Sequence, residues 1–179
     1  MDTILTARIL LRPLAAEDEA LYRTIYCDPI LMRHVAEPLS VEEANASFAI
    51  ALRQTMASAP VNWWTIADRI SLQGIGLLGA NPTEDAFEVG VMLLASDQGH
   101  GYATEAITSL AYYLFDCHGA AAIVMQHALD NAAMRGLMLR LGFENASTDG
   151  SQTVWRLERA MPDTVVEPPA AFALPNRAR

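Results

Sequence analysis

The sequence predicts one α+β domain in which helices cover the faces of a mixed, mostly antiparallel sheet. Two patterns lead to this prediction. Three apolar runs follow one another between residues 62 and 94, joined by short polar turns, which is typical of an antiparallel meander. A glycine-rich turn, a long helical pattern and another buried strand come next, as in a parallel crossover. With 179 residues, of which 52% are hydrophobic, the chain has enough apolar material for one medium-sized core.

The first part of the chain alternates one strand with two helices. After an alternating opening stretch, Leu21 and Ile25 stand at helical spacing, and Asp28 marks the end of that helix because a proline follows it. Ser40 and Glu43 form a capping box, which predicts the start of a second helix with an apolar stripe on one side. The predicted elements are a strand at residues 8–14 and helices at residues 15–27 and 40–57.

Turn residues separate the remaining elements. Asp149 and Gly150 separate two predicted strands at the end of the domain and predict a closing hairpin. Gly119 and Gly142 follow the two later helical patterns, at the position where many helices end. We expect about six to seven strands and about four helices in all. The further strands are predicted at residues 62–68, 74–80, 87–94, 121–128, 143–147 and 153–158. One further helix follows the glycine-rich turn and ends near residue 117, and another is predicted at residues 131–141.

The composition changes near residue 160. From Met161 the chain is rich in Pro, Ala and Val without a helical or strand period, which is typical of a segment that does not join a packed core. We therefore predict a single domain at residues 1–160, followed by a flexible tail at residues 161–179.

Charge and cysteine content narrow the classes of partner. The formal net charge is −9, and all 12 basic residues are arginines, so nucleic acid is a poor partner because the overall field repels polyphosphate. No apolar run is long enough to span a membrane and the first residues lack a secretory pattern, so we expect a cytoplasmic protein without a membrane partner. Cys27 and Cys117 are far apart, which predicts neither a disulfide nor a metal site. A monomer and a homodimer are both compatible with the sequence.

The stretch from Asp97 to Ala106 is the strongest candidate for a binding site. Gly99, Gly101 and Ala103 leave room for main chain to approach a ligand, and the amides that open a helix have no partners within it. The helix dipole adds to the preference of these amides for an anion. A glycine-rich turn between a strand and a helix fits a dinucleotide site, a phosphate loop or an ordinary tight connection, so the turn alone leaves these alternatives open.

The wider sequence favours another interpretation. Residues 98–103 read Gln-Gly-His-Gly-Tyr-Ala and resemble the Gln/Arg-x-x-Gly-x-Gly/Ala signature of the GNAT N-acetyltransferases, and Thr-Glu-Ala follows, as in their RimJ/RimL-like branch. Residues 10–14, 87–91 and 131–143 resemble the opening strand, central strand and closing helix of that branch, so the resemblance covers about residues 7–158. A Rossmann dinucleotide site explains neither the antiparallel strands before the motif nor the stretch at 131–143.

The resemblance implies a GNAT-like fold with a splayed pair of central strands, and acetyl-coenzyme A as cosubstrate without a metal. The pyrophosphate then rests on the turn amides, the pantetheine arm pairs with the preceding strand, and the backbone amide of Met92 polarises the thioester carbonyl. Asn131 contacts the cofactor arm in this interpretation, and it is also a favoured N-cap residue. The implied cofactor-binding residues are Val91, Met92, Leu93, Gln98, Gly99, His100, Gly101, Tyr102, Ala103 and Asn131.

The implied activity is direct transfer of an acetyl group from sulfur to a primary amine within a ternary complex. The acceptor is a protein N-terminal α-amine or a small-molecule amine. Such an amine is mostly protonated at neutral pH, so a base or a water chain must accept a proton. Glu88 is the best candidate base, because regular alternation places it on the same strand face as Gly90 and Met92; a solvent-exposed or arginine-paired Glu88 is the alternative. The acceptor pocket is expected at residues 28–40 and the turn near Arg69.

Two positions depart from the family pattern. The residues three and seven positions after Asn131, which are often serine or tyrosine in relatives, are Met134 and Met138. Since neither can donate a proton to the departing thiolate, that role falls to water, to Tyr102 or Tyr112, or to no general acid at all. This departure motivates an alternative function, a catalytically weak or inactive acyl-coenzyme A binding module.

Overall fold

The computed structural model describes residues 2–57 and 62–159, which form one eight-stranded sheet with five α-helices. The strands are β1 (Ile4–Leu5), β2 (Ile9–Pro13), β3 (Asn62–Asp68), β4 (Gly74–Pro82), β5 (Ala86–Leu93), β6 (Ala122–Ala128), β7 (Glu144–Asp149) and β8 (Gln152–Glu158). The helices are α1 (Glu19–Tyr26), α2 (Pro29–Met32), α3 (Val41–Met56), α4 (Tyr102–Cys117) and α5 (Ala132–Arg140). The predicted fold class is confirmed. The elements beyond those predicted, β1 and α2, are only two and four residues long, and the predicted tail at residues 161–179 lies outside the described residues.

The central strands of the sheet separate at one end. The strand order is β1-β2-β3-β4-β5-β6-β8-β7, and only β5 and β6 are parallel neighbours among the described strands. The predicted meander consists of β3, β4 and β5. β5 pairs with β6 only through residues 86–88 and 122–124, although the two strands continue to Leu93 and Ala128. A gap therefore opens between β5 and β6 beyond Glu88, and the predicted splay is present.

Helices cover both faces of this sheet. α4 buries Ile107, Leu110 and Leu114 against one face, in a core that also includes Met138 of α5 and Trp155 of β8. α1 and α3 cover the other face, whose core comprises Leu14, Tyr22, Ile25, Phe48, Ala51 and Leu77. Within the part of the chain that the structure describes, no helix is both long and apolar enough to cross a membrane.

The start of the first helix differs from the prediction. Residues 16–18 form a 3-10 turn, at whose end the side chain of Asp18 points inward and is only 4% exposed. The carboxylate accepts hydrogen bonds from the Arg12 guanidinium (2.7 Å), the Thr65 hydroxyl (2.7 Å) and the Ala15 amide (3.0 Å). Burial raises the pKa of Asp18, but these hydrogen bonds outweigh it and the pKa is lowered. This buried ion pair attaches the start of α1 to β2 and β3.

Asp28 and Pro29 end one helix and begin another. The side chain of Asp28 accepts hydrogen bonds from the amides of Ile30 (2.7 Å) and Leu31 (3.2 Å), and Pro29 occupies the first turn of α2. Proline is tolerated at that position because a first-turn residue donates no hydrogen bond within the helix. The residues predicted to end the first helix therefore also begin α2. Residues 33–39 form the loop between α2 and α3.

The closing hairpin joins the sheet through its second strand. β8 pairs with β6 along its whole length, from Ala122 opposite Glu158 to Ala128 opposite Gln152, and β7 is left at the edge with every residue exposed. The local pattern predicts a hairpin, but it does not specify which element of the sheet the hairpin joins. The position of β8 is therefore a property of the tertiary structure.

Candidate active site

The glycine-rich turn joins β5 to α4. A short 3-10 turn at Ala95–Asp97 leads into it, and α4 begins at Tyr102 with Gly101 as its N-cap residue. Gly99 and Gly101 have φ angles of +79° and +83°. In this left-handed region a Cβ atom approaches the carbonyl oxygen too closely, so glycine is strongly favoured. The turn consequently exposes its main chain without any capping side chain at Gly101.

The backbone amides of this turn have no partners elsewhere in the described structure. From Gln98 to Thr104, no amide donates a hydrogen bond to another described residue, and the first helical bond runs from Glu105 to Gly101 (3.1 Å). The side chain of Gln98 anchors the turn by donating to the carbonyl of Leu93 at 3.1 Å. A run of free N–H groups at the positive end of a 16-residue helix makes a local anion site in an acidic protein.

Glu105, in the first turn of α4, connects this site to the loop between β1 and β2. One carboxylate oxygen accepts hydrogen bonds from the Thr6 hydroxyl (2.6 Å) and the Arg8 amide (2.8 Å), and the other forms an ion pair with Arg8 Nε (2.7 Å). Arg8 Nη1 also donates to the carbonyl of His100 at 2.8 Å. Burial raises the pKa of Glu105, but the hydrogen bonds from Thr6 and Arg8 outweigh it and the pKa is lowered. Glu105 is therefore a carboxylate whose charge Arg8 offsets.

Sequence reasoning missed Arg8, which lies 97 positions before its partner. The only signal available was indirect: an acidic residue in the first turn of a helix that should accept a phosphate needs a compensating cation. That signal does not say which of the 12 arginines supplies the charge.

Hydrogen bonds at both ends of β5 establish which of its backbone groups face β4. At one end the amide of Leu94 donates to the carbonyl of Ile75 at 2.9 Å, and at the other the carbonyl of Ala86 accepts from the amide of Thr83 at 2.8 Å. Residues 86 and 94 are both even-numbered, and β5 pairs with β4 without a register shift. Because the backbone groups of successive strand residues alternate between the two edges, the even-numbered residues of β5 bond toward β4.

The odd-numbered residues of β5 accordingly direct their backbone groups toward β6 and, beyond Glu88, into the gap. Val91 and Leu93 present N–H and C=O groups there, whereas Met92 directs its own toward Leu77 of β4. This alternation does not favour the predicted Met92 amide as an oxyanion donor, and it favours the amide of Val91 or Leu93. The side chains of Val91 and Leu93 pack under α4, and that of Met92 packs on the opposite face.

Glu88 lies at the point where β5 and β6 separate. Its side chain is half-buried, and strand alternation places it on the face shared by Gly90 and Met92. Gln126 of β6 donates a hydrogen bond from Nε2 to Glu88 Oε1 at 2.6 Å. Gln126 stands two residues beyond Val124, the register partner of Glu88, so its side chain reaches the same face of the sheet. The partner of Glu88 is thus an amide and not an arginine, and no sequence motif indicated it.

Asn131 caps α5, as its residue type predicts. Its Oδ1 accepts a hydrogen bond from the amide of Met134 at 3.1 Å, while its Nδ2 donates to no other described residue. Met138 is fully buried, and Met134 packs against the same core. The two methionines therefore stabilise the contact of α5 with the sheet and offer no proton.

The two tyrosines considered as proton donors lie on α4, and His127 lies near the end of β6. The guanidinium carbon of Arg8 lies 5.0 Å from the ring centroid of Tyr102, at the glycine turn. Tyr112 is ten residues further along α4, which corresponds to about 15 Å along the helix axis. His127 is only 6% exposed, stacks on Trp155 with ring centroids 6.0 Å apart, and holds Nδ1 at 2.8 Å from the Ala128 carbonyl. These contacts make His127 a residue of the core.

A cleft of about 680 Å³ opens beside the end of β6. Its walls are the loop between α2 and α3, the loop between β6 and α5, and the turn between β7 and β8. His34 Nδ1 lies 3.1 Å from Asp130 Oδ1 and connects the first two loops. The cleft therefore includes part of the predicted acceptor region at residues 28–40. The turn near Arg69 does not line this cleft, and Arg69 donates to the carbonyl of Thr6 at 2.9 Å.

Comparison with known proteins assigns this arrangement to a family. A sequence profile of the acetyltransferase (GNAT) domain matches residues 8–144, which is more than half of the chain. The chain belongs to the GNAT acetyltransferase family. No curated protein matches the sequence. Family membership and the antiparallel meander before the glycine turn together remove the dinucleotide-site alternative.

Solved structures resemble this GNAT domain over most of its length. An acetyltransferase from Agrobacterium tumefaciens superposes with a TM-score of 0.76 at 24% identity, covering 89% of this chain and 95% of its own. RimL, a ribosomal-protein α-N-acetyltransferase in complex with coenzyme A, superposes with a TM-score of 0.73 at 16% identity, covering 88% of this chain and 98% of its own. The microcin self-immunity acetyltransferase MccE, in complex with acetyl-coenzyme A and AMP, superposes with a TM-score of 0.73 at 18% identity. The match covers 86% of this chain and 94% of the MccE chain. At these identities the similarity establishes the fold.

No group of three or more His, Cys, Asp and Glu side chains within residues 2–57 and 62–159 is arranged to hold a metal ion. The groups that the described residues bring to this GNAT site are backbone dipoles, the half-buried carboxylate of Glu88 with its amide partner, and the guanidinium of Arg8.

Proposed function

We propose that this GNAT domain transfers an acetyl group from acetyl-coenzyme A to a primary amine by direct attack in a ternary complex. The observation that carries the proposal is the run of free amides from Gln98 to Thr104, placed at the end of a strand whose edge is open beyond Glu88. The free amides suit a diphosphate, and the open edge of the strand suits an extended arm that adds to the sheet.

The proposed cofactor contacts follow the two parts of the site. The turn amides of residues 98–103 hold the pyrophosphate, and the backbone groups of Val91 and Leu93 pair with the pantetheine arm. Asn131 lies on the other side of the gap, where its free Nδ2 can donate to that arm. The complexes of RimL with coenzyme A and of MccE with acetyl-coenzyme A support this choice of ligand.

In the proposed reaction, both the base and the backbone hydrogen-bond donor lie on β5. Acetyl-coenzyme A supplies a thioester whose carbonyl carbon accepts the nitrogen of the amine. The amide of Val91 or Leu93 donates to the carbonyl oxygen as negative charge develops there. Glu88 accepts the proton that the amine loses, directly or through one water molecule. The carbon–sulfur bond then breaks, and the departing thiolate, with an ordinary pKa near that of cysteine, about 8.5, takes its proton from water.

The acceptor enters through the cleft beside β6 in this proposal. Its walls carry Glu37 and Asp130, whose charges favour an ammonium group, and Arg33, whose charge would contact an acidic part of the acceptor. Both a protein N-terminal α-amine and a small-molecule amine fit a cleft of about 680 Å³ that is open to solvent.

An acyl-coenzyme A binding module without turnover is the second candidate. It is favoured by the burial of Met138 and the packing of Met134, which leave the first turns of α5 without a hydroxyl. The two candidates share the cofactor and differ in catalysis, so a binding measurement alone does not separate them.

The test combines calorimetry with a thiol-release assay. We expect coenzyme A to bind, and acetyl-coenzyme A to release thiol steadily with at least one amine from a panel of N-terminal peptides, polyamines and aminoglycosides, with the acetylated amine identified by mass spectrometry. Binding without release across the panel would favour the module. Failure to bind coenzyme A would contradict both candidates.

A further inference from the structure

Arg8 belongs to the loop between β1 and β2, yet its guanidinium lies at the N-terminal end of α4. Nε pairs with Glu105 at 2.7 Å, and Nη1 donates to the carbonyl of His100 at 2.8 Å, within the glycine turn. Tyr102 supports the guanidinium from one side, with 5.0 Å between the guanidinium carbon and the ring centroid. Three contacts thus hold in place a side chain that is 50% exposed.

One nitrogen of this guanidinium remains available. Nη2 donates to no acceptor in the described part of the chain, whereas Nε and Nη1 are both engaged. Nη2 also lies beside the turn backbone, since a Cβ atom added to Gly101 would come within 3.3 Å of it. A positively charged N–H edge therefore stands next to the free amides of residues 98–104.

Charge makes this position significant. The chain carries a net charge of −9 and contains no lysine, so a side chain that stays positively charged at every physiological pH must be an arginine. Glu105 sits in the first turn of α4, where its carboxylate would repel a phosphate at the same helix end. Arg8 offsets that carboxylate with one nitrogen and keeps another for a ligand. The planar fork of arginine permits such simultaneous contacts, which a lysine ammonium makes poorly.

We propose that Arg8 is a phosphate-binding residue of the cofactor site, donating from Nη2 to a phosphate oxygen of coenzyme A while Nε and Nη1 hold Glu105 and the turn. This inference rests on the proposed function, because it names a further contact for the same ligand. It predicts that the cofactor is recognised by one side-chain charge in addition to the backbone amides.

The chain offers a matched control. Arg159 pairs with Asp116 near the other end of α4, at 3.4 Å, and is 49% exposed. Arg8→Gln and Arg159→Gln thus remove the same charge from two half-exposed arginines that each pair with a carboxylate of the same helix. In isothermal titration with coenzyme A, Arg8→Gln should weaken binding about tenfold or more, as expected for loss of a charge-assisted hydrogen bond. Arg159→Gln should bind within about twofold of the wild type.

A double variant separates direct contact from simple neutralisation of Glu105. If Arg8 only offsets that carboxylate, Arg8→Gln combined with Glu105→Gln should regain the wild-type affinity. If Nη2 binds phosphate, the double variant should stay about tenfold weaker. Recovery in the double variant, or wild-type affinity in Arg8→Gln alone, would overturn the inference.

The same set of variants is also tested for correct folding. In Arg8→Gln, Glu105 keeps its bonds from the Thr6 hydroxyl and the backbone amide of residue 8, so the turn retains part of its support. Thermal unfolding of each variant is measured before titration. If Arg8→Gln is unfolded, Arg8→Lys replaces it: a lysine keeps the charge but not the fork, and it should still bind coenzyme A more weakly than Arg159→Lys does. A wild-type protein that does not bind coenzyme A would instead contradict the proposed function.

Discussion

The side chain of Gln126 donates a 2.6 Å hydrogen bond to Glu88 and so connects β5 with β6 just beyond the last residue pair that joins their backbones. The bond leaves the second carboxylate oxygen of Glu88 without a partner among the described residues. A carboxylate held by one oxygen, at the mouth of the gap and on one face of the sheet, has the arrangement expected of a base.

Replacement of this carboxylate tests its role directly. We expect Glu88→Gln to lower kcat/KM for the amine by about 10²-fold or more, because the loss of a positioned base removes that much in typical enzymes. Affinity for coenzyme A should stay within about twofold. Glu84→Gln, at an exposed position in the turn before β5, is the control for loss of one negative charge. Equal rates for both variants would show that Glu88 is not the base.

Gln126 should act only through Glu88. Gln126→Leu removes the amide donor and frees the carboxylate to rotate, so we expect kcat/KM to fall about threefold to tenfold, corresponding to about 1 kcal/mol for one hydrogen bond. In the Glu88→Gln background the same change should have no further effect, because the partner is already gone. Additive losses in this double-mutant cycle would assign Gln126 a separate function.

Gly99 of the turn can be tested against a glycine elsewhere in the chain that has nearly the same φ angle. Gly99 and Gly142 have φ angles of +79° and +78°, and a Cβ atom added to either meets nothing within 4 Å. Alanine at each position should therefore cost a similar free energy of unfolding, about 1–2 kcal/mol. Only Gly99→Ala should also weaken coenzyme A binding, by about tenfold, because relief of strain moves the turn amides. Equal coenzyme A affinity in both variants would indicate that the phosphates bind elsewhere.

The buried ion pair of Asp18 predicts a pH dependence of stability. Because the pKa of Asp18 is lowered in the folded protein, its contribution is complete above the unfolded pKa of about 3.9 and is lost as the pH falls through the folded value. Asp18→Asn should lower the free energy of unfolding by about 3 kcal/mol at pH 7, since Arg12 loses its negatively charged partner and an amide nitrogen replaces one of the two accepting oxygens. Its stability should fall less steeply than that of the wild type in urea unfolding below pH 4.

Glu17→Gln provides the control for this experiment, because Glu17 is exposed on the same turn. It should change the free energy of unfolding by less than about 0.5 kcal/mol at pH 7 and leave the loss of stability below pH 4 unchanged. An Asp18→Asn protein as stable as the control at pH 7 would show that the ion pair contributes little.

Local patterns were sufficient for most of the elements. The capping box at Ser40 and Glu43 marks the start of α3, and both hydrogen bonds of that box form within four residues. The strand predicted at residues 62–68 is observed with those bounds, and the glycine-rich turn joins a strand to a helix, as the sequence predicted. In each case the determining interactions are close in sequence, so the residue types carry the information. The resemblance to the GNAT family likewise comes from four short stretches of the sequence taken together, each of them contiguous.

The tertiary structure alone decided how distant residues combine. Arg8 meets Glu105 across 97 residues, and Gln126 meets Glu88 across 38. The hydrogen-bonding edge of β5 likewise transfers the proposed oxyanion contact from Met92 to Val91 or Leu93. These relationships depend on strand order, register and the splay of two strands. No local preference encodes them, because each arises only when separate parts of the chain are packed against one another.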